Sequence, residues 1–366
     1  MPPSNHALWW TAALSVGVAA TAAAAVPRVF RAGVWQGPSR PGDVEGNLRA
    51  LQGIASLAAA QSVELLVLPE LFLHGYGTAS AALGGCALAR DAAELTCVGE
   101  LARHHKLCIC LPYVERGDDA SSLFNSVAIF QPQDGRLAHN YQKVHLAGRA
   151  ERALFSRGAP DSLRPCDVEF ASGTRVSLGV AVCYDLEFPE PSRCLAVQGA
   201  EVLIAPTAVD ELATTPRFIP ARAMENQMFV LHANPEGRAP ASLPYDEFSG
   251  GSGIYAPDGK ALVMAGEYTG GTLLTATLAL DENHAAARSE YMSERRALSE
   301  GGHYDPMQRH HSSGAVVGSD RGASSSGVEP ASDAAAERSR GQPPGTPARG
   351  FAASSSAAPR KKAKRK

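Results

Sequence analysis

The chain has 366 residues, 45% of them hydrophobic, and a formal charge of −3. That balance hides an asymmetry, because residues 309–366 carry eleven Lys and Arg against four Asp and Glu, leaving about −10 on residues 1–308. An acidic body argues against nucleic acid as its main ligand, and seven irregularly spaced cysteines argue against a disulfide framework and fit a reducing compartment.

Residues 1–27 are an Ala-rich apolar leader. Ala22-Ala23-Ala24-Ala25 resembles a small-residue cleavage site, yet Met1–His6 lacks the Lys or Arg that normally precedes a secretory apolar run, so the segment reads as a signal or as a low-complexity extension. Val29–Val34 reads as a first strand. Val44, Leu48, Leu51, Ile54 and Ala58 recur at helical spacing through Ser62, and Glu64–Leu68 is a continuous apolar strand, as a strand covered on both faces should be. Leu88–His105 is expected as a helix and Leu107–Val114 as a strand. Asn125–Phe130 and Leu137–Lys143 form a predicted hairpin across Asp134-Gly135. Val176–Val182 follows as a buried strand, Pro191–Ala200 as a helix, Val202–Ala205 as a strand, Thr215–Asn226 as a helix and Met228–Ala233 as a strand. Gly253–Tyr255, Leu262–Ala265 and Gly271–Leu280 are expected as a closing meander around Asp258-Gly259. From Arg309 onward Ser, Ala, Gly and Pro dominate, the composition of a disordered tail, and it ends in the basic cluster Arg360–Lys366. Domain bounds of 1–27, 28–308 and 309–366 follow. The alternation of strands and helices, mixed with hairpins, predicts α/β layering with mixed sheets.

Three of the strands deliver one reactive residue each. Leu65-Leu66-Val67-Leu68-Pro69 leads into Glu70, Leu137–Lys143 ends in Lys143, and Leu178–Val182 ends in Cys183. Read bare, Glu70 is a solvated strand end, Lys143 a snorkelling lysine and Cys183 a core cysteine. Against that reading, the apolar run stops at Cys183 and gives way to Tyr184-Asp185-Leu186-Glu187-Phe188-Pro189-Glu190, a strand-to-helix elbow whose amides favour a thiolate. Glu70 lies between apolar runs, and partial desolvation would raise it toward a useful base. A carboxylate, an amine and a thiol can serve as general base, cation and nucleophile around one carbon centre.

These contexts, Leu-Pro-Glu, Lys-x-His-Leu and Cys-Tyr-Asp, resemble the signature of the nitrilase, or carbon–nitrogen hydrolase, superfamily. The likeness spans about Val29 to Tyr291. It implies a four-layer αββα sandwich with two mixed sheets. It also implies a Glu70-Lys143-Cys183 triad in which Glu70 is the general base, Cys183 the nucleophile, and Lys143 with the Tyr184 backbone N–H the oxyanion holder, Lys143 also favouring the thiolate. Lys-x-His-Leu-x-Gly-x-x-Glu-Arg-Ala-x-Phe is similar to the amidase branches, where a second glutamate, here Glu151, positions the substrate amide; read bare, Glu151 is an exposed carboxylate between two arginines. Nitrilases proper usually carry Trp after the nucleophile, so Tyr184 favours an amide over a nitrile.

The expected activity is hydrolysis of a non-peptide amide to an acid and ammonia through a Cys183 thioester, with no metal or cofactor. A nitrile or N-carbamoyl substrate on the same triad, or a non-catalytic scaffold, stands as the alternative. The likeness also implies self-association through the helices Pro191–Ala200 and Thr215–Asn226, with Leu195, Val197, Phe218, Ile219 and Met224 as apolar surface. No nucleic acid is expected for the folded part, and no membrane unless the leader is an anchor. A cytoplasmic location is expected, the basic end or the leader being the two features that could redirect the chain. His104-His105-x-x-Cys108-x-Cys110 hints at zinc, but Cys108 and Cys110 alternate onto one strand face, too close for the usual structural site, and read as core. Gly250-Gly251-Ser252-Gly253 precedes a strand instead of following one and reads as a loop.

Overall fold

The computed structural model describes residues 28–292 except 79, 120–121, 211–214, 268, 281–287 and 289. The leader 1–27, the tail 309–366 and the expected boundary at 308 therefore lie outside the described residues. In chain order the elements are β1 (Arg28–Gln36), α1 (Val44–Ala60), β2 (Leu65–Val67), α2 (Ser80–Cys86), α3 (Ala93–His105), β3 (Cys108–Arg116), β4 (Leu123–Phe130), β5 (Leu137–Gln142) and α4 (Gly148–Leu154). The second half adds β6 (Cys166–Glu169), β7 (Arg175–Val180), α5 (Pro189–Val197), β8 (Val202–Pro206), α6 (Thr215–Asn226) and β9 (Phe229–Ala233). It closes with β10 (Glu236–Arg238), β11 (Glu247–Ser249), β12 (Gly253–Tyr255), β13 (Ala261–Met264) and β14 (Thr272–Leu280).

Two six-stranded mixed sheets result, in the orders β14-β1-β2-β3-β4-β5 and β13-β12-β9-β8-β7-β6. Their strands show the period-2 division that a doubly covered sheet demands. Leu65, Val67, Cys108, Cys110, Val127 and Ile129 of the first sheet meet Val176, Leu178, Val202, Ile204 and Leu231 of the second in one inter-sheet core. The alternate residues Leu66, Ile109, Leu111 and Ala128 pack outward on Leu51, Ile54, Leu95 and Val98 of α1 and α3. On the far side Leu203, Ala205 and Val230 cover Leu195, Ala196, Ile219 and Ala223 of α5 and α6. The chain is thus an αββα sandwich. Each fully buried Leu, Ile or Val in these layers contributes about 1.5–3 kcal/mol from water exclusion.

Several expectations shift. The predicted helix from Leu88 begins only at Ala93, because Leu88 forms a parallel bridge to Glu115 beside β3. The closing meander is not one: β12 and β13 pair with each other, but β14 crosses to the other sheet and runs antiparallel along the whole of β1, from Arg28↔Leu280 to Gln36↔Thr272. Short elements α2, β6, β10 and β11 carried too little pattern to be anticipated. Leu195 and Ile219, expected as contact surface, are spent in the core, whereas Met224 is 59% exposed. Cys108 and Cys110 both face the inter-sheet core, as their alternation predicted. Among the described residues no helix is long and apolar enough to cross a membrane.

Candidate active site

The strands β1, β2 and β3 run parallel in one sheet, and β7, β8 and β9 in the other. Side chains leaving the carboxyl ends of such strands converge on one edge of the sandwich, where open α/β sheets place their ligands. Glu70 leaves β2 there and Cys183 leaves β7, while the Glu70 N–H donates to the Thr207 carbonyl just beyond β8 (3.1 Å), bridging the two sheets.

Glu70 is buried and accepts on Oε1 from Asn125 Nδ2 (2.8 Å) and Lys143 Nζ (2.6 Å), while its buried Oε2 has no partner among the described residues. Burial pushes its carboxyl up to about 7; the Lys143 charge works against that and Glu151 adds to it. The next residue, Leu71, has φ +52°, a left-handed turn that a branched side chain adopts only under constraint.

Lys143 does not snorkel. Its side chain is wholly enclosed, and its ammonium lies 2.6 Å from Glu70 Oε1 and 2.9 Å from Glu151 Oε1. Its backbone is held on both sides, donating to the Asn125 carbonyl (2.8 Å) and accepting from the Gly158 N–H (2.9 Å). Burial alone would lower its pKa, but the two carboxylates together hold it well above the ordinary value. Lys143 is therefore a fixed cation.

Glu151 opens α4 and is buried, contrary to its bare reading. Its Oε1 accepts from Lys143 and from the Tyr76 hydroxyl (2.8 Å), and its Oε2 from the Ala147 N–H (2.8 Å). The pattern that exposes a helix-start carboxylate locally is overridden by partners 75 and 8 residues away in sequence.

Cys183 begins a 3-10 turn, Cys183–Glu187, with φ +48°. This strained elbow is what lifts a nucleophile clear of a sheet. Asp185, two residues on, is buried and fixes it: its carboxylate accepts from the Val182 N–H (2.9 Å), the Tyr141 hydroxyl (2.7 Å), and both the N–H and Nδ1 of His145 (2.9 Å each). One side chain thereby ties the Cys183 elbow to the Lys143 segment. The thiol departs from expectation. Burial, with Glu70 and Glu151, pushes its pKa well above the ordinary cysteine range and outweighs Lys143. Tyr184 follows on the same turn, whose first N–H groups lack partners within it. Its ring stands edge-on to Phe188 (5.2 Å), which stacks on His145 (4.6 Å).

The structure thus brings Glu70 and Glu151 each into direct contact with Lys143, and Cys183 within electrostatic reach of all three. Sequence reading passed over Asn125, Tyr76 and Asp185. The signals were there in Gly75-Tyr76-Gly77 and Cys183-Tyr184-Asp185, but a polar residue's partner cannot be read from its neighbours.

Known proteins agree in extent. A hydrolase encoded in the pqqF 5′ region of Pseudomonas protegens is 36% identical over 276 residues, 74% of this chain and 90% of that protein. An (R)-stereoselective amidase of Pseudomonas sp is 33% identical, over 72% of this chain and 90% of its own. A solved mutant of the amidase from Nesterenkonia sp. AN1, showing covalent addition of the acetamide moiety of fluoroacetamide at its active site cysteine, superposes with a TM-score of 0.60 at 28% identity, covering 73% of this chain and 94% of its own. A family model described as carbon-nitrogen hydrolase matches residues 31–288, and this chain belongs to that family.

Proposed function

We propose that the chain hydrolyses the C–N bond of non-peptide amides to a carboxylic acid and ammonia, with Glu70, Lys143 and Cys183 as the reacting triad. The observation that carries this reading is the enclosed Lys143 ammonium, shared by Glu70 and Glu151 within electrostatic reach of Cys183 on its strained elbow. Glu70, pushed up to about 7, takes the Cys183 proton as sulfur attacks the amide carbonyl. Lys143 Nζ and the Tyr184 N–H face the developing oxyanion. Glu70 returns the proton to the leaving nitrogen, the C–N bond breaks, and ammonia departs from a Cys183 thioester. Water then gives a proton to Glu70 and its oxygen to the acyl carbon, and the acid leaves as sulfur regains the proton. Glu151, with the Tyr76 hydroxyl, holds Lys143 and orients the amide N–H groups. The cysteine of the mutant Nesterenkonia amidase that takes up the acetamide moiety of fluoroacetamide supports a nucleophilic thiol, and the amidase activity named for the Pseudomonas relative supports an amide substrate.

The test is denaturing mass spectrometry during turnover of a slow amide or hydroxamate, which should show an acyl adduct on the peptide containing Cys183. A panel of matched amide, nitrile and N-carbamoyl compounds should release ammonia fastest from the amide; a tenfold preference for the nitrile would overturn the substrate class.

The assembly we infer is a homodimer through the outer helical layer. Exposed Met224 on α6 lies beside the β12–β13 turn at Gly259, and β13 exposes Leu262 and Met264, a surface suited to a symmetric apolar contact. Light scattering of residues 27–308 giving only a monomer at micromolar concentration would refute it. All seven cysteines are free thiols, which supports a reducing, cytoplasmic location.

A further inference from the structure

We propose that this site prefers amides whose acyl group carries an ammonium, accepts neutral ones less well, and rejects those bearing a carboxylate, because an aromatic wall of Tyr76, Phe248 and Tyr245 is set among carboxylates. The proposal deepens the amidase reading and rests on it for the identity of the reacting bond.

The wall is built from two separate segments. Phe248, on β11, meets Tyr76 edge-on at 6.4 Å and Tyr245 at 5.6 Å, with Ala208, Ala239 and Leu243 packed around them. Each tyrosine is one residue away from the reaction centre. The Tyr76 hydroxyl donates to the same Glu151 oxygen that holds Lys143. The Tyr245 hydroxyl donates to the Ala208 carbonyl (3.2 Å), and the backbone of Ala208 also hydrogen-bonds the Cys183 sulfur. An acyl chain that extends from the carbonyl at Cys183 toward Tyr76 and Tyr245 would meet aromatic rings, whose faces attract cations.

The surrounding charge has the same sign preference. The carboxylates that act on Tyr245 are Glu70, Asp210 and Glu151. Lys143 is the cation felt by Glu70, Cys183 and the half-exposed Glu187, and its ammonium is already engaged by two carboxylates. A substrate carboxylate entering here would lose water and meet like charge, whereas an ammonium would meet both rings and acids.

Three amides of one shape separate the cases: 4-aminobutanamide, pentanamide and the monoamide of glutaric acid, differing only in the distal ammonium, methyl or carboxylate. We expect kcat/KM to fall in that order, with the first at least about tenfold above the last, and the spread to shrink in high salt. Phe248→Leu, which keeps apolar bulk but removes the ring, and Asp210→Asn should each lower the ratio of the first to the second by about threefold. Equal rates for all three, or the glutaric monoamide ahead of pentanamide, would overturn the proposal. Calorimetric binding of the same amides to Cys183→Ala reads the charge order without turnover. If binding follows the predicted order but none is hydrolysed by the intact chain, the amidase reading fails and the charge selectivity stands; if binding shows the reverse order, the selectivity fails whatever the turnover.

Discussion

Lys143 Nζ and Glu70 Oε1 stand 2.6 Å apart in an enclosed site, and the other Glu70 oxygen has no partner among the described residues. An ion pair this buried gains little net stability, since removing both charges from water offsets most of their attraction. In the proposed reaction its use is chemical: one oxygen is fixed by the cation while the other is left to exchange a proton.

The pH profile should show this. The Glu70 carboxyl is raised from its usual 4.5 to about 7. Below that point it holds a proton and cannot accept the one on Cys183, so kcat/KM should rise through about pH 7 and then level. A limb near pH 4–5 instead would mean that Glu70 is solvated or is not the base. Fitting kcat/KM for a slow amide between pH 4.5 and 9 decides.

The triad should fail as a unit. Cys183→Ala and Glu70→Gln should each lower kcat by about three orders of magnitude or more, and the double variant should be little worse than either single one. Additive losses would show two independent contributions. Steady-state rates on one amide, with thermal midpoints to confirm folding, make the comparison.

Glu151 and Tyr76 should cost less. Tyr76→Phe removes one hydrogen bond to the carboxylate that holds Lys143, about 1 kcal/mol, and should lower kcat five- to tenfold. Glu151→Gln takes one of two anions from a buried ammonium and should cost more in both rate and thermal midpoint, since an undercompensated buried charge is expensive. Wild-type turnover in Glu151→Gln would leave that residue a structural role only.

What the sequence made legible is what repeats locally. The β2 run, the α1 stripe and the Asp134-Gly135 hairpin were readable because burial imposes periods of two and 3.6 residues and φ > 0 at Gly135 favours glycine. The αββα arrangement, by contrast, came from resemblance, since period alone does not say that β14 pairs with β1 instead of β13. Leu88 was misread because a backbone bridge leaves no side-chain pattern. Glu151 was legible as a site residue only through its family context, its Lys143 and Tyr76 partners being remote. The Cys183 thiol is set by a balance that no local pattern displays, burial and two carboxylates pushing it up against the pull of one ammonium.

Ending the chain at residue 308 should leave kcat and thermal midpoint unchanged. Every residue assigned to the reaction lies between Glu70 and Tyr184, and the sequence beyond Arg309 has too little apolar content to offset the entropy of ordering it. Loss of hydrolysis in the truncated chain would move the domain boundary toward the C-terminus.

Asp185 should prove to be a positioning residue whose loss mimics partial loss of the nucleophile. Its two oxygens accept four hydrogen bonds, from Val182, Tyr141 and twice from His145, and its side chain is fully buried. In Asp185→Asn the shape is kept, but the amide nitrogen now faces donors where an oxygen accepted them. Charge-assisted bonds of this kind are worth about 1.5–3 kcal/mol each, so a drop of several degrees in thermal midpoint is expected. A purely structural role would stop there. Because the same carboxylate sets the +48° turn at Cys183 and the segment carrying Lys143, kcat should also fall ten- to hundredfold in the folded fraction, with KM nearly constant. Asp185→Glu, which restores the charge on a longer arm, should regain stability more fully than rate. A variant as fast as the parent at a temperature where both are folded would show that the elbow holds its geometry without Asp185.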